Sequence, residues 1–176
     1  MRSLSGLPFL VGPLLEPDKC RIAWSTIRTY AGTEYDGGRR KALETLVECK
    51  ENLRRIDLRG APLDDVQAEK ARLNGVIAWG ARLVNANLQG AELSGALLQN
   101  AYLQGANLSY ADLSGAILQG AEVSPSTNFD NSSLFRADLR SVKKLECSNI
   151  VRARNWETAW RDERVGCGQS IPTGNP

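Results

Sequence analysis

The chain has 176 residues, 42% of them hydrophobic, and a formal net charge of +2. That length supports one elongated domain with small appendages, and 22 basic residues against 20 acidic ones give neither a nucleic-acid footprint nor a strongly acidic surface. Histidine is absent, which removes the commonest general base near neutral pH and the commonest metal ligand.

Residues 1–17 read as an extended apolar arm. Gly6, Pro8, Gly12 and Pro13 interrupt its apolar run, which is too short to span a bilayer, and no small-x-small cleavage site follows before Pro17. A helical cap is expected over residues 18–52. Asp18 is placed to cap a first helix, in which Ile22, Ala23, Trp24 and Ile27 lie at helical spacing before Tyr30. A second helix is expected after Asp36-Gly37-Gly38, carrying Ala42, Leu43, Leu46, Val47 and Cys49.

Residues 53–141 hold an internal repeat. From Ala81 the sequence runs ARLVN, ANLQG, AELSG, ALLQN, AYLQG, ANLSY, ADLSG, AILQG, AEVSP, nine consecutive pentapeptides that begin with alanine. Leucine holds the centre of all but the last, and the register extends upstream, less purely, to Ile56. A period of five fits neither the strand period of two nor the helical 3.6, so the chain must turn every five residues. Gly or Asn at the fifth position supplies residues that tolerate positive φ at such corners. Alanine and the central leucine then point inward, and the residues on either side of the leucine point out.

One class of outward residue tests how many sides a turn has. Among the residues just before each centre, from Asp57 to Ile117, the only aliphatic ones besides Pro62 are Ile77, Leu97 and Ile117, spaced by twenty. Four five-residue sides per turn would stack them in one column. With Trp79 beside them they form an outward apolar strip, and such area is seldom left uncovered. Its expected occupant is the N-terminal segment, a partner or second copy, or a membrane surface. The same stacking predicts a charged column of Arg72, Glu92 and Asp112, with Arg72 paired to Glu92, and an amide ladder of Gln67, Asn87 and Asn107.

After Pro125 the centres Phe129, Leu134 and Leu139 keep the spacing but slip by one residue, which is expected to form a bulge. Residues 142–176 are expected to be a C-terminal helical cap and tail, Ser148 opening a helix that carries Ile150, Val151, Trp156, Ala159 and Trp160. Of the four cysteines, Cys20 and Cys49 belong to the N-terminal cap and Cys147 and Cys167 to the C-terminal end, which permits two local disulfides, Cys20–Cys49 and Cys147–Cys167, and equally four reduced thiols.

The pentapeptides resemble the pentapeptide-repeat family, whose consensus is A(D/N)Lxx. The resemblance implies an all-β solenoid, a right-handed quadrilateral β-helix of about four to five coils, with helical caps. The runs AWSTIRTYAGTEYDGGRRKALETL and RNWETAW are similar to flanking segments of cyanobacterial-type members. Some members imitate DNA and act on DNA gyrase; here seven acids against four bases between residues 56 and 123 leave only −3, weak for mimicry. No GxSxG, Walker or GxGxxG pattern occurs, and isolated Asp, Glu and Ser residues sit on solvated repeat positions, so neither an enzyme nor a cofactor or metal site is expected. The expectation is a non-catalytic scaffold presenting a flat face, with Ile77, Trp79, Leu97 and Ile117 as interface, to a protein partner or in a homodimer. Nucleic acid and a transmembrane segment are not expected; peripheral membrane contact stays open. The expected compartment is the cytoplasm, with the periplasm or thylakoid lumen as the alternative.

Overall fold

The computed structural model describes residues 18–165 and 167–168; the arm expected over 1–17 lies outside them. From Asn52 onward, every fifth residue forms a parallel bridge with the residue twenty further on, as in Asp57 with Ile77, Pro62 with Arg82, Gln67 with Asn87 and Arg72 with Glu92. The β-structure consists of these isolated bridges, with no longer strand among the described residues. Four columns therefore run along the molecule. The first side stacks Asn52, Arg72, Glu92 and Asp112; the second Asp57, Ile77, Leu97 and Ile117; the third Pro62, Arg82, Tyr102 and Glu122; the fourth Gln67, Asn87, Asn107 and Asn128.

Each pentapeptide uses its backbone the same way. Leu83 N–H donates to the Tyr102 carbonyl one layer on (2.8 Å), Tyr102 N–H donates back to Ala81 (2.9 Å), and Ala86 N–H closes the corner on the Leu83 carbonyl (3.1 Å). The first and third positions are buried throughout, as in Ala81, Ala91 and Ala101 and in Leu93, Leu103 and Leu113. Alanine is small enough for the chain to turn beside it, and leucine fills the lumen, where a cavity of ≈ 20 Å³ lies among Leu58, Leu63, Leu73 and Leu83.

The N-terminal end is plugged by two helices. In α1 (Lys19–Thr29), Asp18 Oδ1 accepts from the N–H groups of Cys20 and Arg21; Ala23 and Ile27 face inward, while Ile22 is exposed and Trp24 half-buried. In α2 (Arg39–Glu48), Gly38 precedes the first turn at φ +79°, and Leu43 and Leu46 are buried, Leu43 lining the mouth of the lumen with Leu58 and Leu63. The first coil's free edge is also managed: Pro62 has no N–H to leave unpaired, Gln67 N–H donates to the Glu44 carboxylate (3.2 Å), and Arg40 donates to the Asp64 carbonyl (3.2 Å). Buried Arg39 donates to the carbonyls of Arg59 and Thr33, and burial lowers its pKa against the opposing pull of Asp36 and Asp57.

Toward the C-terminus the structure departs from the expected pattern in three places. The extra residue lies in a corner, at Pro125–Ser126, rather than bulging from a side, and bridges beyond it pair residues twenty-one apart, such as Asn107 with Asn128. Thr127 takes the inward alanine position there; its hydroxyl donates to the Leu103 carbonyl (2.8 Å) and accepts from Ser124 N–H (2.9 Å), which is how a wider corner stays satisfied. The expected C-terminal helix is only α3 (Cys147–Ile150), because Asn155 at φ +57° turns the chain, and the following 3-10 turn covers only Trp156–Thr158. Bridging also runs past residue 141, to Arg154 on the first side and Trp160 on the second. Asn149 ties α3 to the widened corner, its amide donating to the carbonyls of Ser124 (3.1 Å) and Thr127 (3.3 Å).

Candidate interaction surface

The second residue of the pentapeptide has a local task that explains why Asp and Asn favour it. Its side-chain oxygen accepts the N–H two residues on, as in Arg59 to Asp57 (3.1 Å), Gln89 to Asn87 (3.3 Å), Ser109 to Asn107 (3.1 Å), Ser114 to Asp112 (3.0 Å) and Arg140 to Asp138 (3.1 Å). Positions without Asp or Asn lack this bond, among them Pro62, Arg82 and Tyr102 on the third side and, on the second, three successive layers that carry aliphatic residues instead. Ile77, Leu97 and Ile117 offer no acceptor to the N–H groups of Trp79, Gln99 and Gln119. All three aliphatic side chains are partly exposed, and Trp79 is 48% exposed.

Ion pairs close the strip at both ends. Asp57 accepts from Arg59 Nε (3.0 Å) and Nη2 (2.7 Å), and Asp138 from Arg140 in the same two-point manner (2.9 and 2.7 Å). The hydrogen bond from Arg59 holds the Asp57 carboxyl below its usual range, against opposing desolvation. The ends differ in access: Asp138 is buried, with Gln119 also donating to it (2.9 Å), whereas the Asp57 and Arg59 side chains keep 25% and 45% of their surface. Arg59 also lies over the Trp79 ring, 5.5 Å from its centroid.

Beside the strip, at the corner between the first and second sides, a groove of ≈ 440 Å³ is lined by Arg55, Gly75, Ile77, Ser94, Gly95 and Leu97 among others. Gly95 has φ +65° and nothing within 4 Å of where a Cβ would stand, whereas at Gly75 the Arg55 side chain lies 3.3 Å from that point, so the groove is open to glycine only beside Leu97. Sequence reasoning found the strip by its period of twenty. It missed the groove, Asp57 and Arg59, since a corner hollow depends on side chains from two sides and no repeat position marks it.

Among the described residues, the side-chain hydrogen bonds of α2 into the coils reach the first coil alone, at Arg59, Asp64 and Gln67. The other columns are tied up internally. Glu92 accepts from Asn74 (2.8 Å) in place of the expected ion pair with Arg72, and the amide ladder makes one rung, Asn87 to Gln67 (3.4 Å), because Asn87 and Asn107 spend their oxygens on the N–H groups of Gln89 and Ser109. The structure joins Cys20 to Cys49 across α1 and α2, and Cys147 to Cys167 across the last coil. Among the described residues there is no cluster of metal-ligating side chains and no helix long and apolar enough to cross a membrane.

Five-residue steps, inward Ala and Leu, and bridges every twenty residues define the class as a parallel β-solenoid. Residues 81–120 match the model described as Pentapeptide repeats, in eight copies. Comparison with curated proteins finds no match. Among solved structures, the chain is similar to a pentapeptide repeat protein from the Arabidopsis thaliana thylakoid lumen, with 27% identity, a TM-score of 0.29, and coverage of 54% of this chain and 62% of that one. It is also similar to HetL, a pentapeptide repeat protein involved in heterocyst differentiation regulation in the cyanobacterium Nostoc, with 24% identity, a TM-score of 0.25, and coverage of 65% and 63%. A third, a pentapeptide repeat protein from the cyanobacterium Cyanothece, gives 33% identity, a TM-score of 0.23, and coverage of 51% and 62%. The chain thus spans under two thirds of each of these structures' length.

Proposed function

We propose that the chain is a non-catalytic interaction scaffold whose second side is its protein-binding face. Bridges every twenty residues and the strong bias of parallel crossovers support a right-handed four-sided coil, with residues 18–52 as the N-terminal cap and the segment after 141 as its C-terminal counterpart. The carrying observation is the exchange made at Ile77, Leu97 and Ile117. Each gives up a side-chain bond worth about 0.5 to 1.5 kcal/mol that Asp57 and Asp138 make in the same column, and none is fully buried in return. Covering the exposed remainder of each would add about 1 kcal/mol or less, which offsets the lost bond once something sits on that side.

The test is a capture experiment with the immobilised full chain, its Ile77→Asn/Leu97→Asn/Ile117→Asn variant, and a control altered at Gln67, Asn87 and Asn107 on the opposite side. Asn at the strip positions restores the local acceptor, so the fold is retained. Proteins that bind wild type and the control but not the strip variant are expected; identical capture by all three would sink the proposal.

A further inference from the structure

We infer that the Cys20–Cys49 disulfide is a redox latch, whose reduction releases α1 while α2, the coils and the Cys147–Cys167 bond stay in place. The latch is independent of what the second side binds. It starts from where the cysteines lie: all four are near the ends, and none falls between Lys50 and Glu146. Each bond ties a cap element down, but the two differ in what else holds that element.

Little besides the bond holds α1. Of its 11 residues only Ala23 and Ile27 are buried, with Trp24 packed partly beside them. Its ion pair with α2, Lys19 to Glu48 at 3.0 Å, leaves both side chains more than half exposed, and such a pair contributes little. A helix this short is unstable alone in water, so α1 opens once the bond is gone, uncovering Ala23, Ile27 and, on α2, Ala42. The loop after α1 stays, because buried Arg39 donates to the Thr33 carbonyl. At the other end α3 is fixed without its disulfide. Asn149 donates to the Ser124 and Thr127 carbonyls, Ile150 is fully buried, and Cys167 packs against the core.

The first bond also lies where a reductant reaches it, since Cys20 lines an open groove of ≈ 450 Å³. Asp18 and Glu51 balance Arg21 and Arg28 in that groove, and Lys19 pairs with Glu48, so the helix ends decide which sulfur better carries charge. Cys20 is in the first turn of α1, where N–H groups favour a thiolate; Cys49 is the C-cap of α2, where carbonyls disfavour one. A thiolate of a C-x-x-C dithiol reductant therefore attacks Cys49 Sγ, the S–S bond breaks, and its electron pair leaves on Cys20 Sγ. The reductant's second thiolate then attacks its own sulfur in the mixed disulfide and frees Cys49. The dithiol gives up two electrons and two protons and becomes a disulfide, and the chain gains two thiols.

The oxidised full chain, held under native conditions with dithiothreitol, is quenched in time with N-ethylmaleimide and mapped by mass spectrometry. Cys20 and Cys49 should be labelled about tenfold faster than Cys147 and Cys167. In the half-reduced protein, amides of residues 19–29 should lose protection from hydrogen exchange and trypsin should cut after Arg21 and Arg28, while residues 39–48 and the coils stay protected. Reoxidation should reverse both, and Cys147→Ala/Cys167→Ala should respond like wild type. A C-x-x-C protein lacking its second cysteine should be trapped on Cys49. Equal labelling of the two pairs, or earlier opening of Cys147–Cys167, overturns the latch. So does an α1 that stays protected after its bond opens, loss of α2 together with α1, or trapping on Cys20.

Discussion

Gly105 and Gly115 turn the same kind of corner, at φ +71° and +65°, in unlike surroundings. A Cβ on Gly115 meets nothing within 4 Å, whereas one on Gly105 collides with the Asn85 side-chain oxygen. Gly115→Ala is expected to cost about 1 to 2 kcal/mol, the left-handed penalty alone, and Gly105→Ala more than that; chemical denaturation of the two variants ranks them. Asp57 supplies a pH dependence. Its folded carboxyl is held below its unfolded value near 3.9, so its contribution is complete above that value and is lost as pH falls below about 4. Asp57→Asn should therefore show a shallower loss of melting temperature between about pH 4 and 2 than wild type. Ile77→Asn/Leu97→Asn/Ile117→Asn is expected to melt close to wild type in dilute solution, since three new side-chain acceptors offset lost aliphatic contact; a collapse of the fold would show that the strip serves stability.

At the scale of elements, the N-terminal cap depends on α2, which places Leu43 and Leu46 on the open core, while α1 buries only Ala23 and Ile27. The Cys20–Cys49 bond and the Lys19–Glu48 ion pair hold α1 against α2. With the cysteines separated by 29 positions in sequence, loss of that bond is expected to cost about 3 to 4 kcal/mol in the chain-entropy description. Protein purified without reductant should show none of its four cysteines reactive after denaturation, and Cys20→Ala/Cys49→Ala should expose α1 amides to hydrogen exchange while the coils stay protected. The caps also mark where the sequence was readable. Asp18 and Gly37-Gly38 announce α1 and α2 through local backbone chemistry. The C-terminal end gave no such signal, because Asn155 and the bridges at Arg154 and Trp160 override a helical spacing of apolar residues with tertiary pairing.

Over the whole molecule the coils stack by nearest-neighbour contact, so layers are interchangeable while sides are not. Removal of residues 86–95 leaves every inward Ala and Leu in phase, yet carries Leu97 and Ile117 two sides round from Ile77. That variant should fold and melt cooperatively with the strip divided, and it should lose whatever binds the second side; retained binding would place the interface elsewhere. Charge is also distributed by region. Nine bases against six acids in residues 18–55 and eight against five in 131–168 flank a middle with four against eight. Basic ends suit DNA mimicry poorly, and a DNA gyrase supercoiling assay is expected to show no inhibition or protection.

The five-residue period, the inward Ala and Leu and the Gly or Asn corners were legible because they are local: each pentapeptide satisfies its own turn and buries its own pair of side chains. The apolar strip was legible too, once residues twenty apart were read as neighbours. Only the tertiary structure decided that the extra residue widens a corner, that Asp138 is shut beneath Arg140 while Asp57 stays open, and that Trp79 and an arginine-lined groove lie on opposite edges of one side. Those features arise where adjacent layers and sides meet, and no single repeat encodes them.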